Sequence, residues 1–189
     1  MISLLLGIIQ EIVDFIKRTK YSQKIRLALE IGPGKTKAIK NAIGLDIRKT
    51  EAVDVIADAR FLPFKDEVFD YVYASHVLEH FSYHEVKDVV REWGRVLKRG
   101  GVIEIRVPWL RMICLRFIIR PNWGDIRLIY GGQEYPEDFH KCGFSFKLLK
   151  EILEECGFKH VKRVVINSPD KHKGIPIIPN CLHVRGLKV

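Results

Sequence analysis

Residues 25–34 read IRLALEIGPG, and this stretch decides the fold. Its first seven residues, Ile25–Ile31, are mostly apolar, as is typical of a strand that is covered on both faces of a parallel sheet. Gly32-Pro33-Gly34 follows at once, and glycines in such a turn let the backbone pass close to a ligand. The stretch therefore predicts a buried strand that ends at a ligand-binding turn.

Short apolar runs and helical patterns alternate along the rest of the chain. Apolar residues recur at helical spacing over Tyr83–Lys98, which ends at Gly100-Gly101, and over Ser145–Cys156, where Ser145 is a suitable N-cap. This alternation indicates an α/β fold with a mainly parallel sheet and right-handed crossovers. The predicted strands are Ile25–Ile31, Ala42–Ile47, Val53–Ala57, Phe69–Ala74, Val102–Val107, Lys159–Ile166 and Cys181–Val189.

The composition is that of a globular chain with a basic surplus. The 189 residues are 47% apolar and 29% charged, which excludes a wholly disordered or collagen-like chain. The net charge of +9 is concentrated at the ends, since residues 1–41 carry +5 and residues 157–189 carry +6. Such ends either attract an anionic partner or simply favour solubility. Four cysteines without a C-x-x-C pair favour a reducing, cytoplasmic setting over secretion.

An amphipathic helix is predicted over residues 2–20, in an N-terminal segment 1–24 that precedes the domain 25–189. Its apolar residues recur at near-helical spacing. The apolar start Met1–Ile9 is too short to span a membrane, which takes roughly 20 residues. The sequence leaves open whether this helix packs on the domain, lies on a membrane surface or forms a dimer contact.

Carboxylates follow the next two predicted strands. Asp46 ends the second strand, and Asp58-Ala59-Arg60 ends the third. In an open α/β sheet, ligands bind outside the carboxyl ends of the strands, so these acids should lie beside the glycine turn. Asp46 could accept both hydroxyls of a ribose, and Asp58 with a backbone N–H could read an adenine edge. A glycine turn followed by these acids indicates a nucleoside site.

Two other nucleotide-binding motifs fit poorly. Gly34-Lys35-Thr36 resembles the end of a P-loop, but that motif needs a glycine at the position of Leu29. A dinucleotide fingerprint needs a glycine three residues after Gly34, where the chain has Lys37. The turn therefore favours neither a nucleoside triphosphatase nor a dinucleotide-binding enzyme.

Five motifs in order resemble class I S-adenosylmethionine-dependent methyltransferases over about residues 25–108. They are Leu29–Gly34, Gly44–Ile47, Ala57–Phe64, Phe69–His80 and Arg95–Gly101. The resemblance implies a Rossmann-like, doubly wound sheet of seven strands, with helices on both faces and an insertion after the fifth strand. The chain departs from the usual pattern between Gly34 and Asp46, where only eleven residues remain for a missing or reduced first helix.

The resemblance also implies contacts with the cofactor, S-adenosylmethionine. The amino-acid end would lie at the glycine turn, and the sulfonium would lie past the fourth strand. The implied contacts are Glu30, Gly32, Pro33 and Gly34 at the amino-acid end, Asp46, Ile47, Asp58, Ala59 and Arg60 at the ribose and adenine, and Ser75 and His76 near the sulfonium.

Residues 109–144 interrupt the alternation and are expected to cover the carboxyl edge of the sheet as a lid. Within them, residues 131–144 (GGQEYPEDFHKCGF) resemble a subgroup of short methyltransferases associated with cell-surface polysaccharide pathways. His140 in this insertion and His76 at the strand end are the candidate catalytic residues, because an imidazole near the acceptor can act as a base. Gly131-Gly132 is a candidate hinge.

His76, His80 and His84 recur every four residues, and His76–His80 matches the H-x-x-E-H pattern of some zinc proteases. A zinc site needs further ligands, and none is evident nearby in the sequence. We therefore expect no metal site, and we interpret His80 and His84 as cap or surface residues.

Together these features predict a cytoplasmic transferase that uses S-adenosylmethionine to methylate a small molecule, such as a sugar or another glycan precursor. Methylation of RNA is an alternative, with the basic ends binding the nucleic acid. A non-catalytic subunit that binds S-adenosylmethionine and serves a partner protein is another. The oligomeric state stays open.

Overall fold

The computed structural model describes residues 26–164 and 181–189, which form one seven-stranded sheet and four α-helices. The helix predicted over residues 2–20 and part of the predicted strand Lys159–Ile166 lie outside the described residues. The strands are β1 (Ala28–Ile31), β2 (Ile43–Asp46), β3 (Val55–Ile56), β4 (Phe69–Ser75), β5 (Leu97–Pro108), β6 (Phe158–Arg163) and β7 (Cys181–Lys188). The helices are α1 (Val86–Val96), α2 (Leu110–Ile119), α3 (Trp123–Tyr130) and α4 (Phe146–Glu155).

The strand order in the sheet is β3-β2-β1-β4-β5-β7-β6. Neighbouring strands from β3 to β5 run parallel, whereas β7 is antiparallel to both β5 and β6. The predicted mainly parallel, Rossmann-like sheet is confirmed. The order reverses between β1 and β4, and in sheets of this kind a crevice for ligands opens at that point, beyond the carboxyl ends of the strands.

The crossover from β1 to β2 contains no helix within the described residues, as the short spacing between Gly34 and Asp46 predicted. Residues 32–42 form turns and bends between β1 and β2. The buried carboxylate of Glu30 holds this segment, because it accepts hydrogen bonds of 2.9 Å from the backbone N–H groups of Ala38 and Ile39. The carboxylate of Glu30 thus accepts hydrogen bonds from backbone N–H groups that would be paired within the helix if one formed here.

The larger hydrophobic cluster lies where α1 and α4 pack against the sheet and each other. Its fully buried side chains include Trp93 on α1, Leu149 and Leu153 on α4, and Phe69 on β4. Burying each such side chain contributes about 1.5–3 kcal/mol. The smaller cluster, around Ala28, Tyr71, Tyr73 and Val102, also contains Ala38 and Ala42 of the turn segment, and Ile39 packs against it.

The predicted boundary between α1 and β5 is wrong by several residues. The helix ends at Val96 and the strand begins at Leu97, which pairs with Phe69 of β4. Gly100 has a φ of +74°, and the register of β4 and β5 shifts between Phe69 and Tyr71. The glycine pair therefore bends the start of a strand, whereas the sequence suggested the end of a helix.

The insertion folds into α2 and α3, neither of which the sequence analysis predicted. Asp125 at the start of α3 is fully buried and accepts a hydrogen bond of 2.6 Å from Nε of Arg116 on α2. This ion pair joins the two helices. None of the described helices is long and apolar enough to cross a membrane.

Candidate active site

A cleft of about 1080 Å³ opens at the carboxyl ends of β1, β2 and β4. Its volume is slightly above the usual range for small-molecule sites, roughly 300–1000 Å³. Ten of the eleven expected cofactor contacts line it: Gly32, Pro33, Gly34, Asp46, Ile47, Asp58, Ala59, Arg60, Ser75 and His76. These residues come from four separate stretches of sequence that the sheet brings to one edge.

The glycine turn forms one wall of the cleft. Gly32 has a φ of +68° and Gly34 has a φ of +63°, a backbone conformation that residues other than glycine rarely adopt. A Cβ atom on Gly32 would collide with the side chain of Val77, so there is no room for a side chain at this position. The backbone of the turn is therefore open to the cleft, as the amino-acid end of S-adenosylmethionine would require.

Glu30 is the exception among the expected contacts. Its side chain is fully buried and is not part of the cleft wall, because its two oxygens hold Ala38 and Ile39. In this structure Glu30 shapes the turn segment and does not line the cleft, so its expected contact with the cofactor stays a prediction.

Asp58 lines the cleft as a carboxylate paired with Arg60, at 2.7 Å between Oδ2 and Nη2. This hydrogen bond lowers the pKa of Asp58, and Arg60 is also paired with Glu85 at 3.0 Å. The indole N–H of Trp93 donates to the backbone oxygen of Ala59 at 2.9 Å. Trp93, which the sequence analysis assigned only to a helix, therefore holds the strand-end loop in place.

The insertion forms the opposite wall. The guanidinium carbon of Arg48, just past β2, lies 3.8 Å from the ring centroid of Tyr135. Burial raises the pKa of Tyr135, so its hydroxyl stays protonated. The insertion residues along the cleft are Gly124, Arg127, Leu128, Gly132, Tyr135, Pro136, Glu137, Asp138, His140 and Lys141.

His76 has a strained backbone and a charged partner. Its φ is +57°, which is uncommon outside glycine, and strain of this kind often marks a functional site. Its ring Nδ1 lies 3.0 Å from Oε1 of Glu79, and Nε2 lies 3.8 Å from Sγ of Cys181. Burial alone would lower the pKa of His76, but the contacts with Cys181 and Glu79 raise it to about 10.

A general base must be unprotonated at the working pH. The contacts that raise the pKa of His76 favour the protonated imidazole, so its surroundings argue against the expected role as base. His140 differs, because burial lowers its pKa and leaves the imidazole neutral. The surroundings therefore give the two candidate histidines different charges.

His80 ends the short 3₁₀ turn Leu78–His80 and also lines the cleft, which the sequence analysis did not predict. The His80 and His140 rings lie 4.9 Å apart, edge to face, so the short turn after β4 touches the insertion directly. His84 is exposed and packs on Tyr83, as a surface residue does. The regular histidine spacing is the only sequence signal for His80, and it does not indicate the partner, His140.

Comparison with known proteins shows a matching family and similar proteins. Residues 27–105 match the family described as "Methyltransferase domain". An uncharacterised protein of Methanocaldococcus jannaschii is 34% identical over 147 residues, which cover 71% of this chain and 65% of that protein. The demethylmenaquinone methyltransferase of Staphylococcus aureus is 32% identical over 145 residues, covering 71% of this chain and 54% of the enzyme. The chain thus spans less than two thirds of either relative.

A solved structure shares the fold. The crystal structure of a SAM-dependent methyltransferase from Archaeoglobus fulgidus aligns with a TM-score of 0.61 and 20% identity, covering 93% of this chain and 92% of that one. Residues 27–105 are thus similar to the methyltransferase domain family, and the sheet has the fold of that solved methyltransferase.

Proposed function

We propose that this protein transfers a methyl group from S-adenosylmethionine to a small molecule. The observation that carries the proposal is the cleft: ten expected cofactor contacts line one side, and the insertion lines the other. A cofactor on the first side leaves room for an acceptor under the insertion. A cleft of about 1080 Å³ is large enough to hold both.

When bound, the cofactor supplies the electrophilic methyl group, and the chain aligns the acceptor and manages its proton. Ser75 and His76 lie at the end of β4, on the side where the sulfonium is expected. The cationic His76 favours an acceptor oxygen that carries or develops negative charge. The neutral His140 on the opposite wall is the candidate to accept a proton.

A polar acceptor such as a sugar or glycan precursor suits the insertion side. That wall carries both acids and bases, namely Arg127, Glu137, Asp138 and Lys141, which suit an acceptor with several hydroxyl groups. A quinone-type aromatic acceptor is a second candidate, favoured by the similarity to a demethylmenaquinone methyltransferase. The mixed charge of the wall disfavours RNA, whose phosphates would need a basic surface.

The four cysteines support an intracellular, reducing setting for this activity. Cys114, Cys142, Cys156 and Cys181 are all free thiols in the structure. Burial raises the pKa of the Cys142 and Cys156 thiols, which makes them less reactive.

Calorimetry with S-adenosylmethionine and S-adenosylhomocysteine tests the first half of the proposal. We expect binding of about −7 to −8 kcal/mol, in the low micromolar range. A folded protein that binds neither ligand would remove the basis of the proposal.

A screen with methyl-labelled cofactor against hydroxylated metabolites, sugar nucleotides, quinols and RNA tests the second half. Transfer to a small molecule supports the proposal. Transfer to RNA alone would overturn its acceptor class, and tight cofactor binding without transfer to any pool would favour a non-catalytic subunit.

A further inference from the structure

Three metal-binding side chains meet where the turn after β4 touches the insertion. Glu79 and His80 belong to the 3₁₀ turn Leu78–His80, and His140 belongs to the insertion. Each offers one ligand atom, and the three atoms lie within 4.8 Å of one another. A metal ion at about 2.1 Å from each would draw them together by little more than 1 Å.

Glu79 carries an unsatisfied oxygen at this point. Its side chain is 1% exposed, and Oε1 contacts His76 at 3.0 Å. Oε2 is buried and has no hydrogen-bond partner among residues 26–164 and 181–189. An unpaired buried carboxylate oxygen is costly, so its retention calls for a ligand that the polypeptide itself does not provide.

Both histidines are oriented by the backbone in the way that metal ligands are. Nδ1 of His80 lies 3.2 Å from the backbone oxygen of Phe139, and Nδ1 of His140 lies 3.0 Å from that of Leu128. A carbonyl oxygen can only accept, so each Nδ1 carries the proton and each Nε2 keeps a lone pair. A histidine that binds a metal commonly donates its other ring N–H in this manner.

We propose that Glu79, His80 and His140 bind a divalent transition-metal ion such as Zn²⁺, Fe²⁺ or Mn²⁺. Imidazole suits these ions better than Mg²⁺ or Ca²⁺, and two histidines with one carboxylate leave coordination positions open. His80 and His140 line the cleft, so the open positions are accessible to an acceptor oxygen. His76 holds the carboxylate of Glu79 from the other side and acts as a positioning residue.

The sequence analysis expected no metal because it found no third ligand near His76–His80. The third ligand is supplied by His140, sixty residues further along the chain, and only the folded insertion brings it within reach. With a metal bound, the lone pair of His140 is not available to act as a base. Ionisation of an acceptor hydroxyl would then come from its coordination to the metal.

Titration of the full-length, untagged, chelator-treated protein with Co²⁺ tests the site directly, since Co²⁺ replaces such ions and absorbs visible light. We expect one equivalent to bind, with competition by Zn²⁺ and little competition by Mg²⁺. His140→Asn and Glu79→Gln should each weaken binding at least tenfold. The matched control is His84→Asn, which removes an exposed histidine from the same sequence pattern and should bind like the wild type.

Absence of stoichiometric Co²⁺ binding, or equal affinity in wild type and His140→Asn, would overturn the proposal. Glu79 is buried, so circular dichroism must show that Glu79→Gln folds; if it does not, His80→Asn replaces it. The readout needs neither cofactor nor acceptor. Failure of the metal site therefore leaves the proposed methyl transfer standing, and a methyltransferase without a metal remains measurable by the calorimetric test above.

Discussion

The guanidinium of Arg48 stacks on the ring of Tyr135, at 3.8 Å from the ring centroid. Arg48 follows β2, beside the expected ribose contact Asp46, and Tyr135 belongs to the insertion. This pair joins the two walls of the cleft across the open edge of the sheet. This contact, like the His80–His140 pair, connects the region expected to bind the cofactor with the insertion.

Removing this contact should loosen the insertion and leave the cofactor side intact. A cation–π pair contributes about 0.5–2 kcal/mol, so Tyr135→Leu should speed tryptic cleavage within residues 120–141 several-fold. Affinity for S-adenosylhomocysteine should stay within a few-fold. Tyr135→Phe keeps the ring and is the control; cleavage of this variant as fast as that of Tyr135→Leu would show that the stacking is unimportant.

Asp46 should matter for the cofactor itself. Asp46→Ala removes the carboxylate that is expected to accept hydrogen bonds from the ribose hydroxyls, and it should weaken binding of S-adenosylhomocysteine by about 1–3 kcal/mol. Calorimetry measures the change. Asp88→Ala removes an exposed acid on α1, outside the cleft, and should leave the affinity unaltered. Equal affinity in Asp46→Ala and the wild type would place the ribose elsewhere.

His76 should act as a cation. With its pKa raised to about 10, the imidazole of the chelator-treated protein should stay protonated from pH 6 to pH 9 in an NMR titration, so turnover should show no step near pH 6.5 from this residue. His76→Asn should keep the fold and most cofactor affinity while methyl transfer falls by about 10². His84→Asn is the control. Near-normal transfer in folded His76→Asn would remove His76 from the mechanism.

Glu104 should make the domain sensitive to acid. On β5 it contacts two residues of β7, His183 at 2.5 Å and Arg185 at 2.7 Å. These partners outweigh burial and lower the pKa of Glu104 from 4.5 to about 2. As the pH falls, Glu104 is therefore protonated in the unfolded chain before it is protonated in the folded protein. The free energy of unfolding should fall by roughly 3 kcal/mol as the pH drops from about 4.5 to about 2.

Denaturant unfolding at several pH values measures this effect. Glu104→Gln should be less stable at pH 7 by about 3 kcal/mol, because Arg185 loses its buried partner. Its stability should also change less between pH 4.5 and pH 2. Glu137→Gln, at an exposed position, is the control. The same pH profile in wild type and Glu104→Gln would refute the assignment.

The sequence predicted most of the cofactor side because its information is local. An apolar run followed by Gly32-Pro33-Gly34 specifies a strand and a turn without reference to distant residues, and Asp46 and Asp58 follow strands of their own. Glu30 is a residue whose orientation could not be predicted from local sequence. A motif places an acid at the turn, but only the packing of residues 35–42 beneath it decides that the carboxylate points away from the cleft.

By itself the sequence determined the mainly parallel sheet, the reduced first crossover, the glycine turn and the acids Asp46 and Asp58 that follow it, since strand periodicity and turn chemistry act between near neighbours. The other expected cofactor contacts came from the resemblance to methyltransferases. The tertiary structure alone decided what faces those residues. It brought Tyr135 to Arg48, His140 to Glu79 and His80, and Cys181 to His76. Charge and ligand geometry depend on such neighbours, so the raised pKa of His76 and the candidate metal site could not be predicted from residue spacing.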